Sequence, residues 1–377
     1  HNNMREVSEK HKKKLPWLKK EVSKSRQYFA ANCNRFYEFH RFVFNTTLTD
    51  ADINVLKATG KAQLEFNIDE AYINRLCGEL YKQQPTINVA GNSDAPTQVD
   101  DETQKVVEGH LRHEIDIARQ EHVIYKIYRD MLAGGFSIGK VITKYADAMS
   151  FDQNFCIERV YDPTLAGFDY LAVHPTKKDA RYSYDIYPKT KEEFEKEYPH
   201  VDLTKLEFSS NLEGYSWSFK IDNDKVLLLC DAYVKEKKQK KIVKLATGKV
   251  LLATEYERLL KEWNEAGITM QAPTIVDERW TDVETIMRHQ FIEDQVIACE
   301  ETNYRFLPHV FFDGNSITLR NGENGASEQM TRPYAYQAKG AQRLKNFAGQ
   351  CLATELENMV QAKWIACKEG IPPEYLG

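Results

Sequence analysis

The sequence predicts an α+β fold, with helices concentrated in the first part of the chain and strands in the second. Three observations predict it. Between Asp116 and Tyr187 the apolar period changes: Ile117, Ile124, Ile127, Tyr128, Met131 and Leu132 recur at helical spacing, whereas Ile138, Val141, Ile142 and Tyr145 form a β-branched and aromatic run. The change falls at Gly134-Gly135, residues that take the left-handed conformation ending a helix without a Cβ penalty. The chain has 377 residues, 42% of them hydrophobic and 28% charged, enough for two or three domains and too apolar for wholesale disorder.

The elements follow in order. His1-Asn2-Asn3-Met4 reads as a non-native leader, and Arg5 to Ala31 as a basic helix whose Lys12-Lys13-Lys14 run is a solvated face. Phe36, Tyr37, Phe39, Phe42 and Phe44 are too many aromatics for a free surface, so they are expected against another element or another subunit. Thr49-Asp50-Ala51-Asp52 caps a short helix closed by Gly60, and Asp69 to Gln83 is a second helix stopped before Pro85. Thr86 to Ala90 reads as a strand and Gly91 to Thr97 as a polar loop. A single long helix is then expected from near Asp100 to Leu132.

After the first strand, Asp152-Gln153-Asn154 turns the chain into a return strand, Phe155 to Tyr161, broken by Asp162-Pro163. Ser183 to Tyr187 is a further strand, and Thr190 caps a helix with Glu192, Glu193 and Glu195 in its first turns. Pro199 to Gly214 is a polar connection. Lys225 to Val234 and Lys241 to Leu245 read as two strands around a basic tip, Lys235 to Lys240. Thr247-Gly248-Lys249 turns the chain into the apolar run Val250 to Ala253. Thr254 and Glu257 form a capping-box pattern for a helix ending near Gly267. Strands are expected at 275–276, 284–291 and 295–300, with a hairpin turn at Glu293-Asp294. Asn321 to Ser327 reads as a glycine-asparagine loop. A long amphipathic helix from Pro333 to Lys363 closes the series, with Leu344, Phe347, Cys351, Leu352, Leu356 and Met359 on one face.

No constellation carries catalysis. The seven cysteines are scattered without a C-x-x-C pair and read as reduced, mostly buried thiols. His110 and His113 lie one helical turn apart, but no third metal ligand is signposted. Gly134 to Lys140 fits G-x-x-x-x-G-K, yet Val141 stands at the hydroxyl position. A helix precedes it and a strand follows, the reverse of a phosphate-binding loop. No catalytic, cofactor-binding or metal residue is therefore assigned, and an enzyme is not expected. The chain has no 18-residue apolar run and no signal-peptide core, so no membrane partner and no secretion are expected. A net charge of −5 makes any DNA contact transient rather than a grip on phosphates.

The order of these parts resembles the portal (head-to-tail connector) proteins of short-tailed double-stranded-DNA phages, the podovirus type. One block is Phe66-Asn67-Ile68 with Gly78-Glu79, Pro85, Ile87 and Val89. Another is the glycine step at Gly134-Gly135, then Asp162-Pro163 and Asp179-Ala180-Arg181-Tyr182. A third is Phe306, Pro308, Val310 and Gly314, with Phe311 where a proline is common, and the last is Gln342, Arg343 and Asn346 on the long helix. The resemblance spans residues 25–365.

It implies a portal fold of wing and hip, two stem helices and an inserted β-rich clip. On this chain residues 1–110 are the N-terminal helical wing, 111–253 the α/β hip and wing, 254–267 the first stem helix, 268–330 the clip, 331–364 the second stem helix, and 365–377 the start of a longer continuation. It implies a homo-oligomeric, twelve-fold ring at the capsid vertex of the virion, assembled in the host cytoplasm, through which DNA is packaged and ejected. The partners implied are a terminase motor, a tail adaptor, the major capsid protein and double-stranded DNA. Lys339, Arg343, Lys345, Asn346 and Gln350 are the candidate channel lining, and Phe36, Phe39, Phe42 and Phe44 the candidate subunit contacts. Two other readings stand beside it. One is a metal-dependent nucleic-acid-processing enzyme using Asp147, Asp152, Asp162 and Asp169; the other is a monomeric adaptor or scaffold.

Overall fold

The structure is a computed structural model that describes residues 9–83, 85–90, 100–119, 122–202, 211–212, 215–216, 218–221, 224–267, 273–293, 295–320 and 327–360. The expected leader, the loop at 91–97, most of the loop at 321–327 and the segment 365–377 lie outside these residues. Contacts gather the chain into two discontinuous units, residues 1–30 with 138–311 and residues 31–137 with 312–377. α1 (Glu9–Phe44) is a single helix that takes Pro16 and the aromatic run together.

The first unit is built on antiparallel strands. β1 (Phe136–Tyr145) pairs with β2 (Gln153–Arg159) from Gly139↔Arg159 to Tyr145↔Gln153. Next come β3 (Ala166–Phe168), β4 (Tyr182–Thr190) and α6 (Lys191–Glu197), the last opened by a Thr190/Glu193 capping box. Short strands β5 (Asn211–Leu212), β6 (Tyr215–Ser216) and β7 (Ser218–Ile221) lead to β8 (Asp224–Leu245). β9 (Val250–Leu252) and α7 (Ala253–Glu265) precede β10 (Ile275–Ile292), β11 (Gln295–Thr302) and β12 (His309–Asp313). The main sheet runs β11-β10-β8-β4-β3, with β7 and β9 also paired to β8.

Its core sets Leu15, Leu18 and Val22 of α1 and Phe194 of α6 against Tyr182, Tyr184, Leu227, Leu229 and Phe291 of the sheet. Burial of each such side chain stabilises by about 1.5–3 kcal/mol.

Two expectations fail here, the basic tip and the capping residues of α7. Lys235 to Lys240 is not a hairpin tip, because β8 runs unbroken through it and pairs with β10 from Leu245↔Ile275 to Cys230↔Phe291. Neighbouring acids make a lysine-rich strand tolerable: Glu301 takes Lys238 at 2.7 Å and Lys240 at 3.0 Å, and Glu278 takes Lys241 at 2.7 Å. The same pairing joins strands on either side of residue 268. α7, expected as a first stem helix, packs on β8 and β9 and buries none of its residues. Its N-terminus is marked by Glu255 accepting the Leu252 N–H, not by Thr254 and Glu257.

The second unit is mainly helical: α2 (Asp50–Ala58), α3 (Asp69–Lys82), α4 (Asp101–Ala118), α5 (Val123–Gly134) and α8 (Lys339–Val360), with a hairpin of β13 (Ile317–Arg320) and β14 (Ser327–Met330). The single helix expected from Asp100 to Leu132 is two, because His122 enters α5 with a left-handed φ of 56°. Residues 86–90 are extended but unladdered; Arg112 donates to the Ile87 carbonyl at 3.2 Å and Glu108 accepts from Val89 N–H at 3.3 Å. Gly135 caps α5 with φ 96°, and a Cβ there would lie 2.9 Å from the backbone of Arg332 and Pro333. The caps at Thr49 and Thr190 and the glycine corner appear where their residues stand in the sequence.

Candidate functional site

α8 carries the five candidate lining residues, and what the chain buries on it is the amide pair Gln342 and Asn346. The apolar residues are uncovered: Leu344 is 68% exposed, Phe347 67% and Met359 76%, with Leu352 and Leu356 also exposed. Two polar residues are held by the chain, Asn346 being only 3% exposed and Gln342 buried beside it. Asn346 donates to Thr47 Oγ1 at 2.6 Å and accepts from the Phe66 N–H at 3.1 Å. Gln342 donates to the Phe66 carbonyl at 2.7 Å and accepts from the Ile68 N–H at 3.2 Å. Each amide side chain offers a donor and an acceptor, so the pair satisfies a backbone segment that has no ladder of its own. Asn67, between them, donates to the Val43 carbonyl at 2.6 Å. Two sequence blocks far apart in the chain thus meet: Gln342–Asn346 clamps Phe66–Ile68.

Of the five lining candidates, Asn346 is therefore removed, being a buried clamp. Lys339 is spent inside the unit, ion-paired to Glu38 with its ammonium 5.0 Å from the Phe39 ring centre. Gln350 is half-buried and lines a groove of about 680 Å³ with Thr47, Leu56, Arg343 and Phe347. Arg343 and Lys345 are exposed.

The candidate subunit contacts are likewise mostly internal. Phe36, Phe39 and Phe42 are buried within the second unit. Phe36 lies 5.2 Å from Phe136 and Phe39 5.8 Å from Tyr336, ring centre to ring centre. Phe44 is half-buried under the Arg129 guanidinium at 4.2 Å. An aromatic run needs cover, and the chain supplies it from its own distant segments.

In the first unit a charge network sits inside the sheet. Lys140, on β1, reaches Asp185 of β4 at 3.0 Å and Asp231 of β8 at 3.1 Å. Arg288 of β10 holds Asp231 through two bonds of 2.9 Å. His309 Nε2 lies 2.8 Å from Asp185, and its Nδ1 2.8 Å from the Ser183 hydroxyl. Burial works against the charges, but Lys140 and then Arg288 outweigh it and hold Asp231 well below the usual carboxylate range. Asp231 and then Asp185 likewise raise the Lys140 ammonium above its ordinary value. The lysine of the G-x-x-x-x-G-K stretch is thus occupied by two carboxylates and is not available to a phosphate.

Among the described residues, Asp147, Asp152, Asp162 and Asp169 of the enzyme reading form no metal-ligating group. Asp147 and Asp162 accept from the nearby backbone N–H groups of Met149 and Thr164, and Asp169 is clasped by Arg181 at 2.5 and 2.9 Å. His110 and His113 are exposed on α4. Among the described residues, one group of metal-ligating side chains does gather: His11, His289 and Cys299, their ligand atoms all within 4.8 Å of one another. No sequence spacing signals it, since the three lie on α1, β10 and β11.

A family model described as phage P22-like portal protein matches residues 19–374. The chain belongs to the P22-like portal protein family. No curated protein matches it. The chain is thus a phage portal subunit, a component of the virion at the capsid vertex that forms an oligomeric ring and serves genome packaging. The family is structural rather than enzymatic, which accords with acids that hold backbone and basic groups in place. Among the described residues no helix is long and apolar enough to cross a membrane.

Proposed function

We propose that neighbouring portal subunits contact one another through the apolar face of α8, and that twelve copies close the ring around the DNA path. The observation that carries this is the pattern of burial on the helix: Gln342 and Asn346 are locked to their own chain while Leu344, Phe347, Leu352 and Met359 stand uncovered. A rigid helix of 22 residues presents a stripe about 33 Å long, a length suited to a repeated head-to-tail contact. Arg343 and Lys345 flank that stripe and are the remaining candidates for weak, salt-screened contact with translocating DNA. A terminase motor, then a tail adaptor, dock on the ring, and the major capsid protein surrounds it, after assembly in the host cytoplasm. Light scattering tests the contact. The protein should run far above 43.7 kDa, and Leu344→Asp with Leu352→Asp should return it to that mass without loss of helicity. A double variant that still forms rings removes α8 from the interface. Arg343→Glu with Lys345→Glu should keep the ring and impair packaging; normal packaging removes both residues from the DNA path.

A further inference from the structure

We propose that His11, His289 and Cys299 form a zinc(II) site that fastens the first turns of α1 to the β10–β11 hairpin. His289 and Cys299 are directly opposed across that hairpin, so their side chains share one face of the sheet. His289 Nδ1 and Cys299 Sγ lie 3.4 Å apart. Tetrahedral zinc with nitrogen at ~2.0 Å and sulfur at ~2.3 Å spaces its ligands by about 3.3–3.5 Å, so this pair already stands at ligand spacing. His11 approaches from α1, its ring centre 5.9 Å from that of His289 in an edge-on arrangement. All three ligand atoms fall within 4.8 Å of one another, and the remaining closure is a rotation of the half-buried His11.

His289 is 2% exposed, so the pair is shielded from bulk water. His11 also lines a groove of about 750 Å³ with Lys14, Trp17 and Glu236, which gives an ion a route in. The donor set is two imidazoles and one thiolate, borderline-soft and suited to zinc, with a fourth position left for water.

Zinc displaces the thiol proton on binding: the S–H bond breaks, the Zn–S bond forms, and one proton leaves to solvent. Affinity should rise with pH for that reason.

Cobalt(II), the spectroscopic substitute for zinc, tests the assignment on the purified, chelator-stripped protein. One cobalt per chain should bind with a thiolate-to-cobalt charge-transfer band, and zinc should bleach it stoichiometrically. Cys299→Ser should abolish the band. His11→Ala changes a half-buried residue and should leave the circular dichroism unchanged while weakening zinc by at least about tenfold. Absence of the band in the wild-type chain at excess cobalt overturns the proposal. So does a band that survives Cys299→Ser, since the ion would then sit on another cysteine, or zinc affinity untouched by His11→Ala.

Discussion

Replacing Lys140 by methionine probes the charge network most directly. Lys140 is buried, and its ammonium is shared between Asp185 and Asp231 at 3.0 and 3.1 Å. At an effective dielectric of about 20, each contact is worth roughly 5 kcal/mol of gross attraction. Desolvating the ammonium offsets much of that in the wild type. In the variant Asp231 keeps Arg288, but the network is left with two carboxylates against one permanent cation. Breaking one partner out of a buried ion cluster costs about 3–5 kcal/mol, and Lys140→Met should fall in that range.

The double variant Lys140→Met with Asp185→Asn restores the charge balance and should recover part of the loss. Urea unfolding at neutral pH and one fixed protein concentration reads both, since ring assembly makes stability concentration-dependent. A single-variant cost under about 1 kcal/mol would refute the reasoning, as would a double variant less stable than the single one. The pH dependence supplies a second check. Asp231 is depressed in the folded chain, so its stabilisation is present above the unfolded value near 4 and is lost as pH falls toward the folded value. Wild-type stability should drop steeply below about pH 4, and Lys140→Met should flatten that drop because one of the two depressing cations is gone.

Two other substitutions test the second unit. Gly135→Ala places a Cβ on a residue with φ 96°, 2.9 Å from the backbone of Arg332 and Pro333, neither of which can rotate away. It should cost about 3 kcal/mol or more, and an unchanged urea midpoint would show that the corner relaxes freely. Asn346→Ala leaves the Phe66 N–H and the Thr47 hydroxyl short of a partner and should cost about 1–3 kcal/mol. Hydrogen exchange should accelerate at the Phe66 amide; wild-type protection there would mean that the clamp contributes nothing.

Some of this protein was legible from residues alone, and those parts share a short range. Thr49 with Asp52 and Thr190 with Glu193 begin helices because cap and N3 residue meet within one turn. Gly134-Gly135 marks the helix-to-strand corner because a residue without a Cβ takes the left-handed conformation at no steric cost. The ordered blocks Phe66–Ile68, Asp162-Pro163, Pro308–Gly314 and Gln342–Asn346 were enough to point to a portal protein, and the family match over residues 19–374 agrees.

Decisions that only the tertiary structure could make concern which face of an element meets which partner. The apolar stripe of α8 predicts an inward face, but Phe66 and Ile68 present unpaired backbone groups that Asn346 and Gln342 can satisfy. Hydrogen bonding there turns the stripe outward. The lysines from 235 to 240 look like a solvated tip until Glu301 arrives from another strand to pair with Lys238 and Lys240. Phe36 and Phe39 demand cover by another element or another subunit, and Phe136 and Tyr336 of the same chain supply it. His11, His289 and Cys299 carry no shared spacing because three separate elements bring them together. Periodicity records how a side chain stands on its own helix or strand. What that side chain faces is set by residues far away in the chain, and burial and charge pairing follow from those neighbours.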